Sequence, residues 1–216
     1  MTDTAFAFQP LPKPTVPILD QPTRFPVGRI FCIGRNYAEH AKEMGSPAEP
    51  IFFMKPADAI TLDTVLPFPP ATSDLHHEVE LVLALGEDAQ IMACGVGVDL
   101  TRRDLQARMK AKGAPWEIGK SFAQSAPIGP LKCGSAPVSG AIQLSVNGAQ
   151  RQMGDLADMI LSADQILEAL SHYFTLQPGD LIYTGTPAGV GPLQPGDRVS
   201  ASIAGLPSLD FSFSQD

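Results

Sequence analysis

The stretch HHEVELVLAL, residues 76–85, decides the fold. Successive side chains of a strand point to opposite faces, so Glu78 and Glu80 share one face with Val82 and Ala84, while Val79, Leu81 and Leu83 share the other. Both faces therefore read as buried. Two ionised carboxylates on one buried face repel each other and are costly to desolvate. Either the start of this run is wet, or a cation belongs beside it.

The 216-residue chain suits one large domain with an ample core. Its hydrophobic fraction of 44% against 18% charged residues argues against disorder and for a protein that hides much of its surface, as in an oligomer. A net charge of -8 speaks against nucleic acid or an anionic membrane as partner. Cys32, Cys94 and Cys133 are odd in number and form no C-x-x-C pair, so they read as reduced, buried small residues of a cytoplasmic protein. The N-terminus lacks a basic start followed by an apolar core, and no run is long enough to span a bilayer, which reads as an uncleaved, soluble chain.

Proline-rich residues 1–27 read as an extended arm wrapping a single catalytic domain over 28–216. RIFCIG (29–34), PIFFMKPADAI (50–60), VELVLALG (79–86) and CGVGVDL (94–100) read as strands, the last with glycines that admit close backbone approach. NYAEHAKEM (36–44) offers one or two helical turns closed by Gly45 and Pro47. TRRDLQARMKAKG (101–113) is helical, with Leu105 and Met109 four apart and Gly113 as a stop. In SADQILEALSHYF (162–174), Ser162 and Gln165 form a capping box ahead of the stripe Ile166, Leu167, Leu170 and Phe174. LQPGDLI (176–182) and LQPGDRV (193–199) each place Pro-Gly at the centre of a type II turn leading into a strand. The sum is a strand-rich α+β domain.

Candidate chemistry is modest residue by residue. Same-face carboxylates of one strand converge on a hard cation such as Mg²⁺ or Ca²⁺ if a third acid joins them, and Asp99 at the end of GVGVDL is the candidate; a solvated edge is the alternative. Arg103 and Gln106, four and seven residues past Asp99, lie on one side of a helical turn and suit a substrate carboxylate and carbonyl, or else a surface helix with Arg102 and Asp104 in water. His40 and Glu43 have the spacing of a general base held by a carboxylate, and also of a surface pair. His76 and His77 read as loop residues, and Lys120 is uninformative by itself. YTGTPAGVGP (183–192) offers backbone N–H groups and the Thr186 hydroxyl to an anion, without a nucleotide-loop pattern.

Together, GRNYAEHAKEM, FFMKPADAI, HHEVELVLALG, GVGVDLTRRDLQ, GKSFAQSAPIGP, VNGAQRQ and LIYTGTPAGVGPLQPGD occur in the order of the fumarylacetoacetate hydrolase family, over about Phe25 to Val199. The chain resembles its small acylpyruvate hydrolases most, and its opening is similar to the fumarylpyruvate hydrolases of gentisate breakdown. The resemblance implies a mixed β-sandwich roll, a homodimer and hydrolysis of a C–C bond in a small-molecule diketo acid. It implies that Glu78, Glu80 and Asp99 hold Mg²⁺ or Mn²⁺, that His40 and Glu43 activate water, that Lys120 is catalytic, and that Arg103, Gln106, Gly185 and Thr186 contact substrate. Larger members add a fourth acidic ligand upstream, which this chain lacks, since no Asp or Glu lies between Phe31 and Tyr37. Oxaloacetate decarboxylation, isomerisation of an unsaturated keto dicarboxylate, and silent keto-acid binding are the alternatives within this resemblance.

Overall fold

The computed structural model describes residues 6–45 and 49–215, and its centre is a six-stranded mixed sheet. In spatial order the strands are Lys132–Cys133, Ile91–Val98, Val79–Leu85, Asp180–Tyr183, Arg29–Gly34 and Ile51–Lys55. Asp180–Tyr183 and Arg29–Gly34 run parallel, and every other neighbouring pair is antiparallel. Every residue from Val79 to Leu85 is buried. Strand alternation divides the interior: Val79, Leu81, Leu83 and Leu85 belong to a large core cluster, Val82 and Ala84 to a smaller one.

The large cluster joins this sheet to a five-stranded one ordered Ala149–Asp155, Ala141–Val146, Arg198–Ile203, Leu209–Phe213 and Val65–Leu66. Ile142, Leu144, Val199, Ala201 and Phe211 are its inward side chains, so two sheets sandwich one core. The smaller cluster is completed by Val16 and Phe25 of a short hairpin, Thr15–Pro17 with Arg24–Pro26. The proline-rich start thus ends in packed strands, while Phe6, Phe8 and Leu11 ahead of them are exposed. Its first five residues, and Pro47 of the expected helix stop, lie outside the described residues.

Among the described residues, four α-helices punctuate the sheets: α1 (Ala38–Glu43), α2 (Arg103–Lys112), α3 (Glu117–Lys120) and α4 (Ala163–Ser171). α4 carries the expected capping box, with Ile166 and Leu170 buried, and Phe174 beyond its end packs on Phe31 at 5.0 Å. Gly113 stops α2 at φ 61°. Gly179 and Gly196 take φ of 95° and 85°, as the third residue of a type II turn requires, and each turn feeds a strand. Three readings need correction. PIFFMKPADAI is not one strand: it breaks after Lys55, where Pro56 has no N–H to give the ladder, into a 3₁₀ turn and the short strand Ile60–Thr61. His76 and His77 lie on the strand Leu75–His77, paired on both sides, and not in a loop. Cys32 and Cys94 are buried, but Cys133 is exposed because it sits on the edge strand of the central sheet.

Gly97 stands opposite Glu80 in the ladder, and a Cβ there would lie 2.6 Å from both Tyr183 and Val82. Side chains, not backbone, fill the space this glycine leaves. Gly97→Ala should therefore cost about 1–3 kcal/mol through overpacking, seen as a lower urea midpoint at unchanged slope.

Candidate active site

Where Val79–Leu85 begins and Ile91–Val98 ends, three acids meet. The Asp99 N–H donates to the Glu78 carbonyl at 2.8 Å, which sets Glu78 and Asp99 side by side with Glu80 two residues in. One carboxylate oxygen from each lies within 4.8 Å of the others. Glu78, Glu80 and Asp99 are 5%, 2% and 0% exposed, which rules out a wet strand start and a solvated edge.

The balancing cations come from three other segments. Lys120 Nζ donates to Glu78 Oε2 at 2.7 Å, to Asp99 Oδ2 at 2.6 Å and to Thr101 Oγ1 at 2.6 Å. Lys55 Nζ lies 2.8 Å from Asp99 Oδ1, and Arg103 pairs with Glu78 Oε1. Lys120 reaches the acids because α3 packs tightly on α2: a Cβ on Gly119 would lie 3.0 Å from the Gln106 nitrogen. Burial alone would lower the Lys120 ammonium, but Asp99 and Glu78 outweigh it and hold it raised. Burial would likewise raise the Glu78 carboxyl, and the Lys120 and Arg103 charges instead hold it well below its usual range. Glu80 goes the other way: burial, then the like charges of Asp99 and Glu78, push it well up, despite the Gly185 N–H donating to Oε2 at 2.7 Å.

α1 brings up the remaining pair. His40 Nδ1 lies 3.3 Å from Glu43 Oε2, and the Gly189 N–H donates to both Glu43 oxygens at 3.2 Å. The segment ahead of α1 is bracketed by Asn36, whose Nδ2 donates to the Thr184 carbonyl at 2.8 Å and whose Oδ1 accepts from the Leu161 N–H at 2.7 Å. On α2, Arg103 and Gln106 are buried and joined, NH1 to Oε1 at 2.7 Å, so α2 does not leave Arg103 in water. Arg103 Nε donates to His76 Nδ1 at 3.3 Å, and burial with the Arg103 charge lowers that imidazole's pKa. His40, Glu78, Arg103, Gln106 and Lys120 line one cavity of about 40 Å³. A wider recess of about 560 Å³ shares Ile51, Phe53, Trp116 and Lys120 with it.

Gly185 and Thr186 occupy the loop after Asp180–Tyr183, where Gly185 serves Glu80 directly and takes φ 99° against Asn36. Thr186 Oγ1 accepts from Gln152 Nε2 at 2.8 Å. The Gln152 amide is oriented by two groups with fixed roles: Nε2 also donates to the Pro187 carbonyl at 2.9 Å, and Oε1 accepts from the Val79 N–H at 3.1 Å. The Thr186 hydroxyl therefore keeps its own proton to donate elsewhere, and His77, 2.9 Å from Gln152 Oε1, carries its proton on Nδ1. Sequence reasoning missed Lys55 and Gln152. A lysine inside the apolar run IFFMK was a usable signal for the first; Gln152 sits in a polar strand and gave none. Burial pushes the Cys32 thiol well up, which makes it inert.

A family model described as fumarylacetoacetate (FAA) hydrolase C-terminal matches residues 29–213. The chain belongs to the fumarylacetoacetate hydrolase family. Among solved family members, fumarylpyruvate hydrolase from Pseudomonas aeruginosa in complex with Mn2+ and pyruvate is 41% identical, with a TM-score of 0.93 over 98% of this chain and 100% of that one. Oxaloacetate tautomerase YcgM of Escherichia coli is 41% identical over 198 residues, 84% of this chain and 90% of the relative. The mitochondrial oxaloacetate tautomerase FAHD1 of Homo sapiens is 38% identical over 198 residues, again 84% and 90%. The strand-rich α+β sandwich is that of the family, and no helix among the described residues is long and apolar enough to cross a membrane.

Three clustered carboxylates are the donor set of a hard divalent cation, so Glu78, Glu80 and Asp99 fit one. The raised Glu80 carboxyl sets the pH sign: where it holds a proton the cation must displace it, so affinity should rise with pH until Glu80 ionises by itself. Calorimetric Mn²⁺ titration at pH 6 in buffers of different ionisation enthalpy should show proton release, and Glu80→Gln should abolish that release while weakening binding.

Proposed function

We propose that this protein cleaves a C–C bond in an acylpyruvate by metal-dependent hydrolysis, with fumarylpyruvate as substrate and fumarate and pyruvate as products. The observation that carries this reading is His40 held by Glu43 at 3.3 Å, in the cavity lined by Glu78 and Lys120. The full-length likeness to a fumarylpyruvate hydrolase supports it. Glu78, Glu80 and Asp99 would hold Mg²⁺ or Mn²⁺, which when bound supplies Lewis-acid polarisation of the keto acid.

His40, oriented by Glu43, takes a proton from water as the water oxygen adds to the C4 carbonyl. The C3–C4 bond then breaks, its electron pair passing to C3 and the C2 oxygen while the acyl part leaves as a carboxylic acid that gives its remaining water-derived proton to solvent. Lys120 places a positive charge beside the oxygen where negative charge develops, and the free Thr186 proton offers a hydrogen bond. The proton on His40 returns to C3, giving pyruvate. Arg103 and Gln106 orient the substrate from α2.

The relatives named as oxaloacetate tautomerases favour a second reading. There no C–C bond breaks: a proton leaves the C2 hydroxyl of the enol and one is added at C3. The dyad also serves that transfer, without an attacking water. Decarboxylation of oxaloacetate would need no activated water at all.

Loss of fumarylpyruvate absorbance tests the first reading, run beside acetylpyruvate and oxaloacetate with Mn²⁺ or EDTA. Fast, EDTA-sensitive consumption of fumarylpyruvate is expected. His40→Ala should lower that rate by about 10²–10⁴-fold, the usual range for a general base, while leaving Mn²⁺ affinity unchanged. If fumarylpyruvate is inert and the enol of oxaloacetate is consumed, the tautomerase reading replaces hydrolysis.

A further inference from the structure

The cavity at the acid cluster is more positive than that cluster requires. Arg35, Arg103, Lys110 and Lys120 line it against one carboxylate, Glu78, in a chain whose net charge is -8. Arg103 and Lys120 are held by the groups of the acid cluster and its surroundings. Arg103 is engaged by Glu78, Gln106 and His76, and Lys120 by Glu78, Asp99 and Thr101. Arg35 has no hydrogen-bond or ion-pair partner among the described residues, although it is half-buried.

Its placement is enforced by the backbone. Arg35 takes φ 63°, a left-handed conformation uncommon for a residue with a side chain. The turn is held on both sides: a Cβ on Gly34 would lie 2.9 Å from Ile51, and Asn36 is buried and hydrogen-bonded across to residues 161 and 184. The chain therefore maintains an unfavourable backbone state beside the acids while leaving the guanidinium unspent. A solvated surface arginine needs neither feature.

Lys110 extends the same wall. Arg103, Gln106 and Lys110 recur at helix spacing on α2, and all three line the cavity. From Arg103 to Lys110 the helix advances about 10 Å, a span suited to a small acid with a carboxylate at each end. Lys110 lies 5.8 Å from the Trp116 ring centroid, and burial with the Arg35 and Arg103 charges lowers its pKa. Arg35 and Lys110 thus share one electrostatic field at the cavity wall.

Resting on the keto-acid reading of this site, we propose that Arg35, supported by Lys110, anchors a second carboxylate of the substrate, so that the site takes keto dicarboxylates in preference to keto monocarboxylates. An arginine fork matches a carboxylate with two parallel hydrogen bonds, and a partly desolvated cation discriminates strongly against an uncharged chain end. Arg35 is by this account a specificity-determining residue.

The test measures binding, so it does not depend on which reaction follows. Full-length protein loaded with Mn²⁺ is titrated calorimetrically with 2-oxoadipate and with 2-oxohexanoate, which share the keto-acid end and differ in the distal carboxylate. The wild type should bind 2-oxoadipate tighter by about 10-fold or more, the scale of one charge-assisted pair. Arg35→Gln should bring the two ligands within about 2-fold of each other by weakening 2-oxoadipate alone, and Arg35→Lys should recover part of the difference. Equal affinities in the wild type overturn the proposal, as does an Arg35→Gln variant that weakens both ligands alike. An inert fumarylpyruvate assay alongside preserved dicarboxylate preference would sink the hydrolase reading and leave this one standing.

Discussion

The burial of Glu78, Glu80 and Asp99 at one end of the central sheet is the constraint on which the rest of the molecule depends. Carboxylates excluded from water at this density persist only with compensating charge and hydrogen bonds. Lys55, Lys120 and Arg103 supply the charge, and the Gly185 N–H supplies a directed hydrogen bond. Each arrives on a different piece of chain, so satisfying three acids ties the Ile51–Lys55 strand, α2, α3 and the loop after Asp180–Tyr183 to one point. The compensation is uneven. Glu78 is held ionised by two cations, whereas Glu80 lacks one and is driven toward its neutral form. That imbalance is what a divalent cation would relieve.

The other polar side chains of the site are mounted around this point with differing rigidity. Lys120 is clamped among three oxygens, and Arg103 is fixed by its neighbours on α2 and the Leu75–His77 strand. His40 sits on the six-residue α1, tied to the sheet through Asn36 and to the glycine-rich loop through Glu43. Helices this short draw their stability from such tertiary ties, not from their own hydrogen bonds. The His40–Glu43 pair, which we propose activates water, is thus tied to the fold through α1 and through the loop that carries Gly189.

Local rules in the sequence were reliable where the physics is local. The Ser162–Gln165 box, the Gly113 stop and the two Pro-Gly turns depend on neighbours within a few residues, and each stands where the pattern puts it. The PIFFMKPADAI segment misled because β-prone residues flank Pro56, whose missing N–H outweighs their propensity. His76 and His77 looked like loop because polar residues border a strand buried by partners distant in the chain. Spacing left Arg103 open between a substrate contact and a surface helix for the same reason: it says which residues share a face, but not what that face meets.

The sequence alone determined that residues 79–85 lie between two packed layers, since only two-sided burial accommodates apolar residues at both parities, and that two acids share the face of Val82 and Ala84. Motif order was enough to identify the family. The tertiary structure decided which charges answer those acids. Lys55 and Lys120 lie far from Glu78 in the chain, and although the apolar run IFFMK marks Lys55 as more than a solvent lysine, nothing local says which acid either side chain meets. It also decided that Gln152 fixes the His77 tautomer and frees the Thr186 proton, and that Arg35, at the cavity wall, has no hydrogen-bond or ion-pair partner among the described residues. Hydrogen-bond direction and charge pairing depend on register and packing between distant segments, and those are settled only when the sheets close on one another.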